Sequence, residues 1–166
     1  MELIQHTVAW CKGEIFEGKM SLLFGAIIVV VALAYWKFAS TQGAQTMWAP
    51  LLAVGLLASG AGIYLVRANT ARIPSYEQAC AQAPAQFAQA ELARTEAFIA
   101  WYPRTRWIMA VIVLLGMACM IFSHAPWSRS VGIALILLGL YVFVLDHFSE
   151  ERARTYHARM VEHFPA

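Results

Sequence analysis

Four long apolar segments dominate this sequence and restrict its fold more than any other feature. They lie at about 20–38, 47–66, 107–122 and 127–145. A helix needs roughly 20 apolar residues to cross the hydrocarbon core of a bilayer, and each segment approaches that length with its interfacial flanks. Only helices and closed barrels satisfy every backbone hydrogen bond inside a membrane. The sequence therefore predicts an all-α, integral membrane four-helix bundle.

The composition of the chain agrees with a membrane protein. Hydrophobic residues make up 60% of the 166 residues and charged residues 13%, against roughly 45–50% and 25% in soluble domains. The net charge of +2 is small, whereas nucleic-acid-binding domains carry a clustered basic face. We therefore expect membrane lipids as partners and no nucleic acid.

The basic residues predict how the spans are oriented. Ten of the twelve lie in 1–19, 67–106 and 146–166, which are the two terminal segments and the long middle one. Basic residues beside membrane spans stay on the cytoplasmic side. We therefore expect one multi-pass domain, 1–166, in a bacterial inner membrane with both termini cytoplasmic. The connections on the other side, 39–46 and 123–130, are short and carry no acidic residue, so we expect no binding there.

Three segments outside the spans are predicted to form cytoplasmic or interfacial amphipathic helices. The first, 1–19, carries apolar residues at helical spacing, with Gly13 and Gly18 as breaks before the first span. The second is a helical hairpin at about 75–102, in which Ser75 caps one helix and Pro84 begins the next. Its few apolar residues predict packing on the membrane surface or a partner. The third, 146–164, continues the fourth span.

Charged residues concentrate where the fourth span ends, in the stretch VLDHFSEERARTYH. Asp146 and Glu150 are one helical turn apart, roughly 6 Å, and so could chelate one ion, as could His147 with Glu151. The candidate metal ligands are Asp146, His147, Glu150, Glu151, Glu14 and Glu17. The candidate catalytic residues are Asp146, His147, Glu150, Glu151, Arg152 and His157. The alternative is a solvated helix face, on which Arg154 pairs with Glu150 and Glu151.

The spacing of Arg152 and His157 resembles the Arg-x-x-x-x-His active-site motif of helical nuclease domains used in prokaryotic defence. In those domains the pair acts on RNA across a dimer. The resemblance covers these two residues alone.

Two further groups of residues have predicted contacts. Arg104, Arg106 and Trp107 lie at one end of the third span and are candidates for binding an anionic lipid headgroup. Small residues at helical spacing in the second and fourth spans predict close helix packing, either within the chain or between chains, in a homo-oligomer or against another membrane protein subunit. These residues are Gly55, Ser59, Ala58, Gly62, Gly132 and Gly139.

The central parts of the spans contain no Asp, Glu, Lys, Arg or His. Transporters and redox carriers usually place such residues there, so we predict no cofactor and no carrier activity. We expect a scaffold, regulator or accessory subunit of a membrane complex, more plausibly without enzymatic activity. The alternatives are a homo-oligomeric pore or membrane-perturbing protein, and an interfacial enzyme or metal site at the cytoplasmic surface.

Overall fold

The prediction of an all-α chain is confirmed. A computed structural model describes residues 2–163, which form six helices and no strand. The helices are α1 (Glu2–Phe38), α2 (Gln42–Gln45), α3 (Trp48–Gln82), α4 (Pro84–Ile99), α5 (Tyr102–Phe122) and α6 (Pro126–His163). The end predicted for the last helix, 164, lies outside the described residues. Four helical segments are long and apolar enough to cross a membrane, as predicted.

The apolar helices pack as two pairs, α1 with α3 and α5 with α6. In the first pair, a Cβ atom built on Gly55 would lie 2.9 Å from the carbonyl oxygen of Gly25, and one on Gly62 would lie 2.5 Å from that of Gly18. In the second pair, a Cβ atom built on Gly132 would lie 2.6 Å from the carbonyl oxygen of Gly116. Only glycine fits at such distances, so these positions let the helix backbones touch.

The other residues predicted for helix packing also lie at these contacts. Ala58 is buried in α3, and the hydroxyl of Ser59 faces Gly25 of α1. Gly139 of α6 lies against Val113 of α5.

Polar contacts join the two pairs. The Ser21 hydroxyl of α1 donates to the carbonyl oxygen of Ala58 at 2.8 Å and also hydrogen-bonds the Tyr141 hydroxyl of α6. The Tyr141 ring stacks on Phe24, with 4.5 Å between centroids. At the end where the short connections lie, the Thr46 and Ser130 hydroxyls are 2.7 Å apart. Hydrogen bonds of this kind hold helices together where no water competes.

The prediction of a separate N-terminal helix was wrong. α1 runs unbroken from Glu2 to Phe38, with Gly13 and Gly18 inside it. A glycine inside a helix costs about 1 kcal/mol relative to alanine, which is why it was expected to break the helix. Here Gly13 lies against the Arg152 side chain and Gly18 against the Gly62 carbonyl. Close packing with distant helices therefore offsets the low helix propensity.

The predicted start of the hairpin was also wrong, although Pro84 begins α4 as expected. α3 continues through Pro74 to Gln82, and the Ser75 hydroxyl donates to the Arg72 carbonyl within that helix.

We call the half of the bundle formed by 4–17, 69–106 and 146–162 the polar end. Its core consists of Trp10, Cys11, Phe87, Ala88, Tyr156 and Met160. These side chains come from α1, α4 and α6, and Tyr76 of α3 packs against them. The hairpin therefore packs on helices of its own chain, and its expected contact with the membrane surface or a partner stays a prediction for its exposed face.

Candidate functional site

Arg152 of α6 lies between two carboxylates of α1 at the polar end. Glu14 and Glu17 are three residues apart and so share one face of their helix. Arg152 Nη2 is 3.2 Å from Glu14 Oε1 and also pairs with Glu17 Oε2. Both glutamates are more than nine-tenths buried as side chains. Because Gly13 has no side chain, the arginine can lie directly against α1.

The same cluster reaches α5. The Ser149 hydroxyl is 3.4 Å from Glu14 Oε1 and 2.9 Å from the Tyr102 hydroxyl. Burial raises the pKa of Tyr102 to about 12, although its hydrogen bond with Ser149 acts in the opposite direction. The phenol therefore stays protonated at neutral pH, and the chain from Tyr102 to Arg152 links three helices.

A second cluster surrounds the buried carboxylate of Glu91 in α4. Arg94 donates to both of its oxygens, at 2.8 and 2.7 Å. The Arg94 guanidinium also lies over aromatic rings, 4.7 Å from the Trp10 centroid and 5.5 Å from that of Phe98. Burial alone would lower the pKa of Arg94, but the bonds and charge of Glu91 raise it above its ordinary value. Arg94 therefore keeps its charge among the aromatic rings while it is paired with Glu91.

Tyr156 of α6 completes this second cluster. Its hydroxyl donates to Glu91 Oε2 at 3.1 Å and hydrogen-bonds Thr7 Oγ1 at 2.8 Å. Its ring stacks on Trp10, with 5.7 Å between centroids. Burial raises the pKa of Tyr156, so the hydroxyl remains a donor. One carboxylate thus connects α1, α4 and α6.

Glu150 forms a third set of ion pairs, closer to the apolar half. Arg154 of the same helix approaches Glu150 Oε1 to 2.7 Å, and Arg106 of α5 binds Glu150 Oε2 at 2.5 Å. Desolvation opposes the charged form, but the two arginines lower the pKa of Glu150 below its ordinary value. The predicted helix-surface pair of Glu150 and Arg154 therefore exists and extends to α5.

Asp146, one turn before Glu150, has a different environment. Its side chain is half-buried, and its Oδ2 atom has no hydrogen-bond partner among the described residues. Burial raises the pKa of Asp146, although the charge of Arg106 acts in the opposite direction. Their surroundings therefore shift the pKa values of Asp146 and Glu150 in opposite directions.

The remaining candidates lie apart from each other. His147 and Glu151 are exposed. The His157 ring is 2.9 Å from the Thr95 hydroxyl and 4.0 Å from Glu96 of α4. Arg152 contacts α1 instead, so the residues of the Arg-x-x-x-x-His spacing reach two different helices. Among residues 2–163, no group of three His, Cys, Asp or Glu side chains is close enough to hold a metal ion.

Two cavities involve the candidate residues. One of about 290 Å³ lies between α1 and α6 and is lined by His6, Ala9, Trp10, Glu151, Arg152, Thr155, Tyr156 and Arg159. The other, of about 300 Å³, lies between α5 and α6 and is lined by Pro103, Arg106, Trp107, Ala110 and Phe143. The second contains two of the predicted lipid-binding residues. The third, Arg104, lies over the Trp101 ring at 5.0 Å.

Our reading of the sequence missed the cluster around Glu91. One signal was available: Glu91 and Arg94 stand three residues apart on a predicted helix, which is the spacing of a helix ion pair. Nothing local indicates that the pair is buried, because Trp10 and Tyr156 approach it from opposite ends of the chain.

Comparisons with known proteins give no relative for this chain: no family model, curated protein or solved structure matches it.

Proposed function

We propose that this chain is a four-span protein of a bacterial inner membrane, with both termini cytoplasmic, that acts as a scaffold, regulator or accessory subunit of a membrane complex. One observation carries the proposal. Arginine and glutamate side chains at the polar end pair with each other across α1, α5 and α6. Such groups hold helices in place rather than converge on a substrate, so the polar end is suited to present a fixed surface.

The continuity of the long helices also supports a structural role. α1, α3 and α6 pass from the apolar half into the polar end without interruption. The polar end is therefore joined to the membrane part by three continuous helices, without a connecting loop in any of them. An anchored platform of this kind suits a subunit that positions other proteins.

We propose that the outer face of α5 contacts a companion subunit. α5 packs chiefly on α6, and only 6% of the most apolar stretch of Pro84–Phe122 is buried. Large apolar side chains of α5, including Val111, Leu114 and Ile121, are more than half exposed. These side chains face either lipid or another membrane protein.

Site-specific photo-crosslinking in cells tests this proposal. A benzoylphenylalanine at Leu114 of α5 is compared with one at Val30 of α1, which is similarly exposed (62% and 66%). We expect a discrete adduct with one unrelated membrane protein from Leu114 and none from Val30. The same companion should remain bound, in fixed stoichiometry, when the gently extracted complex is weighed by native mass spectrometry.

Three other outcomes would contradict the accessory-subunit proposal. A closed ring of identical chains would favour the pore, a bound metal ion would favour the metal site, and a bare monomer without adducts would leave no companion. Reporter fusions at the C-terminus and in 39–46 test the orientation independently. The C-terminal fusion should report the cytoplasm and the other fusion the opposite side.

A further inference from the structure

A cavity of about 400 Å³ opens at the end of the bundle opposite the polar end, where the short connections lie. We call it the loop-end cavity. It is lined by Tyr35, Gly43, Ala44, Met47, His124, Pro126, Arg129, Ser130 and Ile133. These residues come from α1, α2, α6 and the segments beside them, so the cavity exists only because both helix pairs meet here.

The basic groups of this cavity are held in place by the backbone and by each other. Arg129 Nε donates to the carbonyl oxygen of Ser123 at 3.0 Å, and its Nη2 is 3.4 Å from His124 Nδ1. Behind them, the buried Ser130 hydroxyl donates to the Pro126 carbonyl and contacts Thr46. The guanidinium and the imidazole therefore stand side by side on a fixed wall.

Among the described residues 2–163, no acidic side chain lies at this end to balance its positive charge. All ten acidic residues lie in 2–17, 77–96 and 146–162. The acidic residue nearest to Arg129 along α6 is Asp146, 17 residues away, or about 25 Å of helix. Since charges are screened over roughly 8–10 Å at physiological ionic strength, Arg129 is not neutralised by any side-chain carboxylate of the part of the chain that the structure describes.

Arg129 differs in this respect from the arginines of the polar end. Arg94, Arg106, Arg152 and Arg154 each contact a glutamate. Lys37, also at the loop end, lies 20 residues from Glu17 along α1, or about 30 Å. A negatively charged group from outside the chain would therefore meet no competing acidic side chain of residues 2–163 at the loop end.

Apolar surface adjoins the basic groups. Met47 and Ile133 line the loop-end cavity itself. A neighbouring groove of about 290 Å³, lined by Val31, Ala34, Tyr35, Phe38 and Ala39, shares the Tyr35 side chain with it. The hydrogen-bond donors of Arg129 and His124 thus stand beside an apolar groove. This arrangement matches an amphiphile with an anionic headgroup.

We infer that the loop-end cavity binds an anionic phospholipid, whose phosphate contacts Arg129 and His124 and whose acyl chain follows the groove beside Tyr35. The inference rests on the membrane placement in the proposed function, but not on the orientation or on the companion subunit. It differs from the expectation, drawn from the short connections and their lack of acidic residues, that nothing binds on this side.

The test measures binding of phosphatidylglycerol to the purified, delipidated protein in mild detergent by native mass spectrometry. Every protein carries Arg104→Gln and Arg106→Gln, so that lipid at the polar end does not contribute. In this background, Arg129→Gln should weaken binding of one lipid at least about tenfold, which corresponds to about 1.4 kcal/mol, because it removes a charge-assisted contact with the phosphate. His124→Gln should weaken it less.

Matched variants separate charge from folding. Arg67→Gln removes the same charge from an exposed position of α3 near the polar end and should leave binding unchanged. Arg129→Lys keeps the charge and should retain most of the affinity. Equal binding by Arg129→Gln and Arg67→Gln would overturn the inference, and so would loss of binding in Arg129→Lys together with a lowered unfolding temperature.

Two further probes identify the source of the negative charge. Dioleoylglycerol, which has the acyl chains without the phosphate, should not bind. Millimolar inorganic phosphate should not displace the lipid, whereas displacement would overturn the lipid assignment in favour of a free-anion site. Recovery of the chain outside the membrane fraction would overturn both this inference and the membrane placement. Unchanged lipid binding by Arg129→Gln in a protein that is inserted in the membrane would overturn this inference alone.

Discussion

Arg152 of α6 forms ion pairs with both Glu14 and Glu17 of α1, at the level where the apolar half of the bundle becomes polar. One guanidinium group thus pairs with two glutamates, whose side chains are only 9% and 8% exposed. Removing the arginine would strand two buried charges, so this contact matters more for stability than an exposed ion pair does.

We expect Arg152→Met to lower the free energy of unfolding by about 2–4 kcal/mol, somewhat less than for a fully buried pair because Arg152 is partly exposed. The unfolding temperature in detergent should fall by roughly 5–15 °C. The control is the triple variant Glu14→Gln, Glu17→Gln, Arg152→Met, which should recover most of the loss. If the triple variant is no more stable than Arg152→Met, the loss of stability does not come from leaving two buried carboxylates unpaired.

Glycine packing between α1 and α3 predicts a difference between two neighbouring positions. A Cβ at Gly62 would meet the Gly18 carbonyl oxygen at 2.5 Å, whereas one at Gly60 meets nothing within 4 Å. Gly62→Ala should therefore destabilise the protein by about 1–3 kcal/mol. Gly60→Ala should leave stability unchanged or raise it by up to about 1 kcal/mol. Thermal unfolding of both variants checks this, and equal effects would contradict the close approach of the helices.

Two carboxylates one turn apart should show opposite pH dependence. The pKa of Glu150 is lowered, so its ion pairs stabilise the fold above the ordinary value of 4.5 and this gain disappears as the pH falls through the lowered value. Glu150→Gln should therefore destabilise the protein at pH 7 by about 0.5–1 kcal/mol, and the loss should vanish under acid conditions.

Asp146 should behave in the reverse sense, because burial raises its pKa above the ordinary value of 3.8. The folded state then disfavours the charged carboxylate at neutral pH, and this cost fades as the pH falls through the raised value. Asp146→Asn should raise the unfolding temperature at pH 7 and have no effect below pH 3.8. A lowered temperature at pH 7 would instead point to an essential charge, as a metal ligand requires.

Cysteine reactivity should report the packing of the polar end. Cys11 is fully buried, and desolvation raises the pKa of its thiol to about 11. At pH 8 only about one thiol in a thousand is then the reactive thiolate. We expect iodoacetamide to modify the half-buried Cys80 in the folded protein, and Cys11 only after unfolding, as mapped by peptide mass spectrometry. Rapid modification of Cys11 would mean that α4 separates readily from α1.

The cavity beside Arg106 predicts lipid contact at the polar end. Replacing Arg104 and Arg106 together by Gln should reduce the anionic lipid that co-purifies with the protein, because both arginines are exposed, Arg104 over the Trp101 ring and Arg106 in the cavity that Trp107 lines. The double variant Lys12→Gln, Arg159→Gln removes equal charge farther from the apolar half and should reduce it less. Equal lipid content in the two variants would contradict a site at Arg104 and Arg106.

Features that depend on neighbours in the chain could be predicted from the sequence. The four apolar helices follow from the length and hydropathy of each segment, and the continuation of the fourth span into α6 follows from an unbroken helical pattern. Pro84 begins α4 because proline lacks the amide hydrogen that a first helical position does not need. The pairing of Glu150 with Arg154 follows from a spacing of four residues.

The tertiary structure alone decided which distant residues meet. Gly13 and Gly18 have a low helix propensity, and only the neighbouring Arg152 and Gly62 explain why α1 continues through them. Glu14 and Arg152 are separated by 138 residues, so no local pattern could reveal that they form a pair. Likewise, Arg129 and Met47 line one cavity only because the two helix pairs dock. Helix formation depends on contacts within a few residues, whereas pairing of charges and formation of cavities depend on how completed helices pack.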